Sequence, residues 1–179
     1  MLTFLILLGV ILLGSFFIVW TIYSVITNFT GAPFVPSTNK ELKEVFDSVE
    51  FKKGSLVYDL GSGDGKVLRM LVKKYGVKGV GIELNPALFF YSIFLTKLLK
   101  IKNLTFKRTN LFHESLEKAD VVYVFLLIRT LEKLEGKIIK ECKKGTMVIS
   151  HGFTIKGLKS YLVKTIKGRV FPTYIYILK

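Results

Sequence analysis

The chain holds a single cysteine, Cys142, together with two histidines, four prolines and one tryptophan among 179 residues. One thiol forms no intrachain disulfide, which suits a reducing compartment, and Cys142 itself reads as a small core residue. Two histidines and one cysteine cannot build an ordinary zinc site. Acidic residues are scarce, 13 against 27 lysines and arginines, for a formal net charge of +14. That balance invites a nucleic-acid partner. Lysines far outnumber arginines, however, and no recognition motif is present, so attraction to anionic lipid or a solvated lysine-rich surface accounts for the charge and nucleic acid is not expected. Internal repeats and low-complexity segments are absent as well.

Charge is missing altogether before Lys40, and Leu2 to Ile26 is almost wholly apolar. As a helix that stretch runs roughly 37 Å at ~1.5 Å per residue, enough to cross a ~30 Å hydrocarbon core with tilt. A cleaved signal peptide has a basic start and an apolar region of ~7–15 residues, and neither is found here. Residues 1–27 are therefore expected to form one transmembrane helix, with the bilayer as a partner and Trp20 and Tyr23 near its far interface. Since every formal charge lies beyond the span, Lys40 onward is expected on the cytoplasmic, or matrix-equivalent, side of a single-pass protein.

Residues 28–54 read as a Pro-containing linker and an amphipathic helix. Pro33 and Pro36 enforce extended backbone, Thr38 and Glu41 form a capping box, and Leu42, Val45, Phe46 and Val49 recur at helical spacing over Asn39 to Glu50. Residues 55–179 then alternate: strands at Leu56 to Leu60, Val80 to Glu83, Leu104 to Arg108, Val121 to Leu126 and Thr146 to Ser150, with helices at Lys66 to Tyr75, Pro86 to Lys100 and Ile128 to Cys142. Such alternation predicts an α/β domain with a mostly parallel sheet. The tail, Tyr161 to Lys167 and Val170 to Leu178 around Gly168-Arg169, reads as a β-hairpin. On a helical wheel, Ala87, Tyr91, Phe94, Leu95 and Leu98 form the core-facing arc of the second of these helices, and Phe89 and Ile93 fall outside it.

The densest signal is Leu56 to Gly65, Leu-Val-Tyr-Asp-Leu-Gly-Ser-Gly-Asp-Gly, followed by Val80-Gly81-Ile82-Glu83-Leu84-Asn85. A strand runs into a turn of small residues that opens a helix, and a second strand ends in a carboxylate. The glycines admit a ligand against the backbone, and the acid can accept ribose hydroxyls. A dinucleotide fingerprint needs Gly-x-Gly-x-x-Gly, whereas Gly61, Gly63 and Gly65 are spaced two apart and Lys66 comes next. Asp59 at the strand end repels phosphate and suits a cationic amino-acid moiety. S-adenosylmethionine, with its ammonium and sulfonium, fits.

With these residues, Asp59 to Gly65 and Gly81-Ile82-Glu83, the chain resembles the seven-strand, class I S-adenosylmethionine-dependent methyltransferases. The apolar N-terminus and Ala32-Pro33-Phe34-Val35-Pro36-Ser37 extend the resemblance to the membrane-anchored lysine methyltransferases of the adenine-nucleotide translocase and the ATP synthase c subunit, and their prokaryotic relatives. The resemblance implies a Rossmann-like seven-stranded sheet closed by the C-terminal antiparallel hairpin. It further implies that Asp59, Gly61, Ser62, Gly63 and Asp64 meet the methionine portion, that Glu83 holds the ribose, and that Asn110 reaches the adenine; Asp64 is equally suited to capping the next helix. Ile82, Leu84, Leu111 and Phe112 are candidates to flank the adenine, with core packing as the other reading.

Methyl transfer from a sulfonium is an in-line displacement that needs positioning and exclusion of water more than a catalytic array or a metal. No catalytic residue is assigned. Phe34, Phe125 and Phe153 are candidate walls for an acceptor amine, Pro33 to Ser37 is either a closing segment or a rigid spacer, and His113 reads as surface. His151 is a candidate proton acceptor, although relatives pair such a histidine with a following acid where this chain has Gly152. The expected activity is protein-lysine N-methylation on a membrane protein; the alternatives are a lipid or quinone methyltransferase, or a cofactor-binding protein without activity.

Overall fold

A computed structural model of the chain describes the backbone of residues 2–30 and 38–179, with side chains for residues 3, 4, 6–21 and 38–179. Two compact units result, Met1–Phe34 and Val35–Lys179. The first contains α1, Leu2–Thr30, a helix without a charged residue whose described apolar side chains, Phe4 to Trp20, are mostly exposed. Among the described residues no helix is long and apolar enough to cross a membrane, so the crossing expected at residues 1–27 is not established. The helix also runs past the expected end of that span, through residues 28–30. Residues 31–37, with Phe34 and the Pro33 to Ser37 segment, lie outside the described residues, as does the side chain of Tyr23.

In the second unit a seven-stranded sheet has the order β3-β2-β1-β4-β5-β7-β6. Its strands are β1 (Leu56–Leu60), β2 (Lys78–Ile82), β3 (Leu104–Lys107), β4 (Val121–Val124), β5 (Met147–His151), β6 (Leu162–Ile166) and β7 (Thr173–Ile177). The first five run parallel, β7 enters antiparallel beside β5, and β6 closes the edge with a register shift between Leu162 and Lys164. The expected hairpin is thus present, preceded by a 3-10 helix, Lys156–Tyr161, that sequence periodicity did not indicate. Central β4 is buried at all four residues, as a strand covered on both faces must be.

Alternation along the strands divides the core. Leu42, Val45 and Phe46 of α2 (Asn39–Asp47) and Leu68 and Leu71 of α3 (Lys66–Tyr75) pack on Val57, Tyr123, Ile149 and Ile175. On the other face Leu131, Leu134 and Ile138 of α5 (Ile128–Glu141) pack with Tyr58, Leu60, Val122, Val124 and Tyr176. The α2 helix stops three residues before Glu50, at Asp47, where Ser48 caps it.

Helix α4, Pro86–Leu98, lies beside β3 in an orientation opposite to the wheel reading. Ser92 and Thr96 are its buried residues, Phe89 and Ile93 are partly buried, and Tyr91, Phe94 and Leu98 are exposed. Apolar residues surround this helix, so the wheel carried no decisive direction; small side chains let it approach the sheet.

Gly65 and Gly81 make room for one ring. A Cβ at residue 81 would lie 2.5 Å from Phe106 and one at residue 65 only 2.4 Å, and Gly65 also has φ +76°. Gly65→Ala should therefore cost about 1–3 kcal/mol of stability, read as a lowered urea midpoint, and Phe106→Leu should recover part of that loss in the double variant. An unchanged midpoint in Gly65→Ala would show that the ring does not fill this space.

Candidate cofactor site

Five parallel strands bring their carboxyl ends to one edge, where ligands of open α/β sheets bind. The turn after β1 leaves at Gly61 (φ +84°) and Gly63 (φ +55°), both left-handed, a region that residues with a Cβ rarely enter. The Gly61 and Ser62 N–H groups donate to the Ile82 carbonyl at 2.9 and 3.0 Å, pinning the turn to the tip of β2. Glu83 completes the tie: Oε2 accepts from the Gly63 N–H and Oε1 from the Asn85 N–H, both at 2.8 Å. Each carboxylate oxygen keeps a further lone pair for a ligand hydroxyl.

Asp59, at the end of β1, is 2% exposed. Burial holds its carboxyl well above the usual range, and the negative charges of Glu83 and Asp64 push in the same direction. A cation beside it restores the ionised form. The buried Ser62 hydroxyl has no hydrogen-bond partner among the described residues. Two acceptor-only carboxylates, an unpartnered hydroxyl and a glycine turn fit a cationic nucleoside with free ribose hydroxyls, and they repel a pyrophosphate.

The remaining expected site residues divide. Asp64 is turned into the fold, where Oδ1 accepts from the Lys66 N–H at 3.0 Å and Arg69 binds both its carbonyl and, at 3.4 Å, its carboxylate. Asn110 follows β3 and accepts from the Phe112 N–H at 3.0 Å, an Asx turn that sets the loop after the strand. Ile82 is fully packed in the core and Leu111 and Phe112 pack against it, whereas Leu84 is nearly half exposed at the edge. Ile82 and Leu84 lie two apart on either side of Glu83, and only the second stands clear of the sheet. Cys142 is half-buried and burial pushes its thiol up to about 11, in keeping with a packing role.

At the ends of β4 and β5 a second cluster forms. His151 is fully buried, with Nδ1 2.7 Å from Thr173 Oγ1 and its ring edge-on to Phe125 and Phe171. Its Nε2 has no hydrogen-bond partner among the described residues and lies 3.9 Å from Glu41 Oε1 of α2. Burial lowers the His151 pKa, and the Glu41 charge raises it against that larger effect. The acid beside His151 thus comes from 110 residues earlier rather than from the next position. Thr38-x-x-Glu41 was the available signal, and it misled: Thr38 Oγ1 accepts from the Glu41 N–H at 3.3 Å, but the Glu41 carboxylate leaves the box and accepts from the Phe171 N–H at 3.2 Å. Of the expected walls, Phe125 joins this cluster, while Phe153 packs on the opposite face of the sheet. His113 is exposed, as expected.

The chain is similar to several known proteins. The ANTKMT methyltransferase domain family matches residues 59–161. A protein-lysine N-methyltransferase of Saccharolobus islandicus (strain REY15A) is 31% identical over 150 residues, 82% of this chain and 93% of that protein. The ATP synthase c-subunit lysine N-methyltransferase of Mus musculus is 33% identical over 141 residues, 74% of this chain and 56% of the mouse protein, so the chain spans little more than half of that relative. An RNA methyltransferase from Salinibacter ruber, solved with S-adenosyl-L-homocysteine, has a TM-score of 0.75 at 26% identity, covering 80% of this chain and 94% of its own.

Two outcomes test the site. Glu83→Ala removes charged acceptors worth ~1.5–3 kcal/mol per hydrogen bond, so S-adenosylmethionine affinity measured by calorimetry should fall at least tenfold; unaltered affinity removes Glu83 from the site. Asp59 sets a pH dependence. Its carboxyl in the free protein is raised above 3.8, so a cationic ligand must drive off a proton, and affinity should rise with pH from about 4 up to the raised value and then level. In Asp59→Asn the slope should vanish. By the same linkage, the contribution of Asp59 to the stability of the unliganded domain falls as pH rises through that window, because the native state holds this proton more tightly than the unfolded chain.

Proposed function

Because the chain belongs to the ANTKMT methyltransferase domain family, within the class I S-adenosylmethionine-dependent methyltransferases, we propose that it methylates the ε-amine of a lysine on a membrane protein. The observation that carries the acceptor is the agreement of relatives, an archaeal one named for protein lysine and a mouse one named for a lysine of the ATP synthase c subunit, each more than 30% identical. Asp59 and the turn Gly61 to Gly63 would hold the amino-acid end of the cofactor, and Glu83 its ribose. When bound, the cofactor supplies an electrophilic methyl group on a positively charged sulfur.

The acceptor ammonium must lose a proton before its nitrogen can attack. An apolar, water-poor mouth disfavours the charged amine and lowers its pKa, and Leu84, Leu127 and Phe125 at the ends of β2 and β4 supply such surroundings. His151, neutral in its buried setting, with Glu41 beside it, is a candidate to hold a proton, and its ring packs edge-on against Phe125. Orientation and exclusion of water carry the rate.

Membrane association follows from α1 in this reading. Its described side chains from Phe4 to Trp20 are exposed and apolar, and the +14 net charge lies wholly from Lys40 onward. Attachment to the acceptor's own membrane would raise its local concentration. A lipid or quinone acceptor is the second reading, favoured by the exposed apolar face of α4.

Incubating the detergent-solubilised chain with methyl-labelled S-adenosylmethionine and host membranes separates the two. Label that survives lipid extraction and is recovered as methyl-lysine after acid hydrolysis is the expected result. Label in the organic phase replaces lysine with a lipid acceptor.

A further inference from the structure

Beside β3, α4 borders an open groove of about 690 Å³ that the catalytic edge does not use. Lys97, Lys100 and Lys102 line it, and none of the three makes an ion pair among the described residues. Thr96, 7% exposed, lines the same groove, and its buried hydroxyl has no hydrogen-bond partner among the described residues. Lys100 occupies the left-handed position that ends the helix (φ +51°), where glycine is the usual choice, and the Ile101 N–H closes the turn onto the Thr96 carbonyl at 3.0 Å.

The outward side of the same helix is apolar. Phe90, Phe94 and Leu98 are each about 60% exposed, and Tyr91 and Leu99 nearly half. Three cations without an ion pair among the described residues, next to bare aromatic rings, match one kind of surface, in which negative headgroups overlie hydrocarbon.

We propose that α4 and its groove form a docking surface for an anionic phospholipid bilayer, with a headgroup phosphate held by Lys97, Lys100 and Lys102 and with Phe90, Phe94 and Leu98 entering the interfacial region. This rests on the proposed membrane setting. It adds a second, composition-dependent contact in the catalytic unit, independent of α1, and charge complementarity selects acidic lipid as the occupant.

The test uses the full chain as a single-tryptophan variant, Trp20→Phe with Phe94→Trp, on vesicles containing bromine-labelled lipid, either phosphatidylcholine alone or with a third of it replaced by phosphatidylglycerol. Quenching of the residue-94 fluorescence is expected in the anionic vesicles and weakly, if at all, in the neutral ones. Each Lys→Gln change at 97, 100 or 102 should lower the docking equilibrium about fivefold, equivalent to ~1 kcal/mol per lysine. Vesicle flotation without quenching overturns this surface while leaving the anchor intact, and absence of flotation overturns both. Equal quenching in the two lipids, or insensitivity to the lysine changes, overturns the headgroup site. A blue shift without bromine quenching assigns the face to a second copy of the chain and overturns it too.

Discussion

The carboxylate of Glu83 holds three segments of the chain at one point. Through the Gly63 and Asn85 N–H groups it joins the turn after β1, the tip of β2 and the entry to α4, and the Ile82 carbonyl repeats the tie with two N–H groups of the turn. A buried carboxylate alone would be costly, and two backbone donors offset that cost. The edge is consequently arranged before any ligand arrives, with the acid already at the height where ribose hydroxyls would meet it.

Beneath that edge the two halves of the sheet do different work. On the β1–β2 side, bare glycine backbone and buried acids make a polar floor, kept thin because Phe106 fills the space that side chains at residues 65 and 81 would take. On the β4–β5 side, Phe125, Phe171 and His151 form a drier wall in which Glu41 is the nearest charge to His151. A cation is favoured over the first and disfavoured over the second. Those are the opposite needs of a sulfonium donor and of an amine that must be neutral to attack.

Much of this was legible in the order of residue types. Strands β1, β4 and β5 are short apolar runs bounded by turn residues, helix α3 is bracketed by Gly65 and Gly76, and Asp59, Gly61, Gly63 and Glu83 meet because a βαβ unit can wind in only one way. What was not legible depended on distant partners. The pairing of Glu41 with His151 crosses most of the domain, and locally Glu41 looked like half of a cap. The orientation of α4 turned on the size of Ser92 and Thr96, whereas hydrophobicity, nearly uniform around that helix, pointed the other way. Asp64 likewise carried two local readings, and the Arg69 contact one turn into the helix, which accompanies its capping bond to the Lys66 N–H, was not visible in the local sequence.

Asp59 gives the pocket an asymmetry between arrival and departure. A carboxylate this deeply desolvated is ionised at the expense of whatever positive charge stands nearby, and methyl transfer removes one such charge from the donor. The spent nucleoside would keep its ammonium and lose only the sulfonium charge, so its electrostatic hold on the pocket would weaken by that one charge.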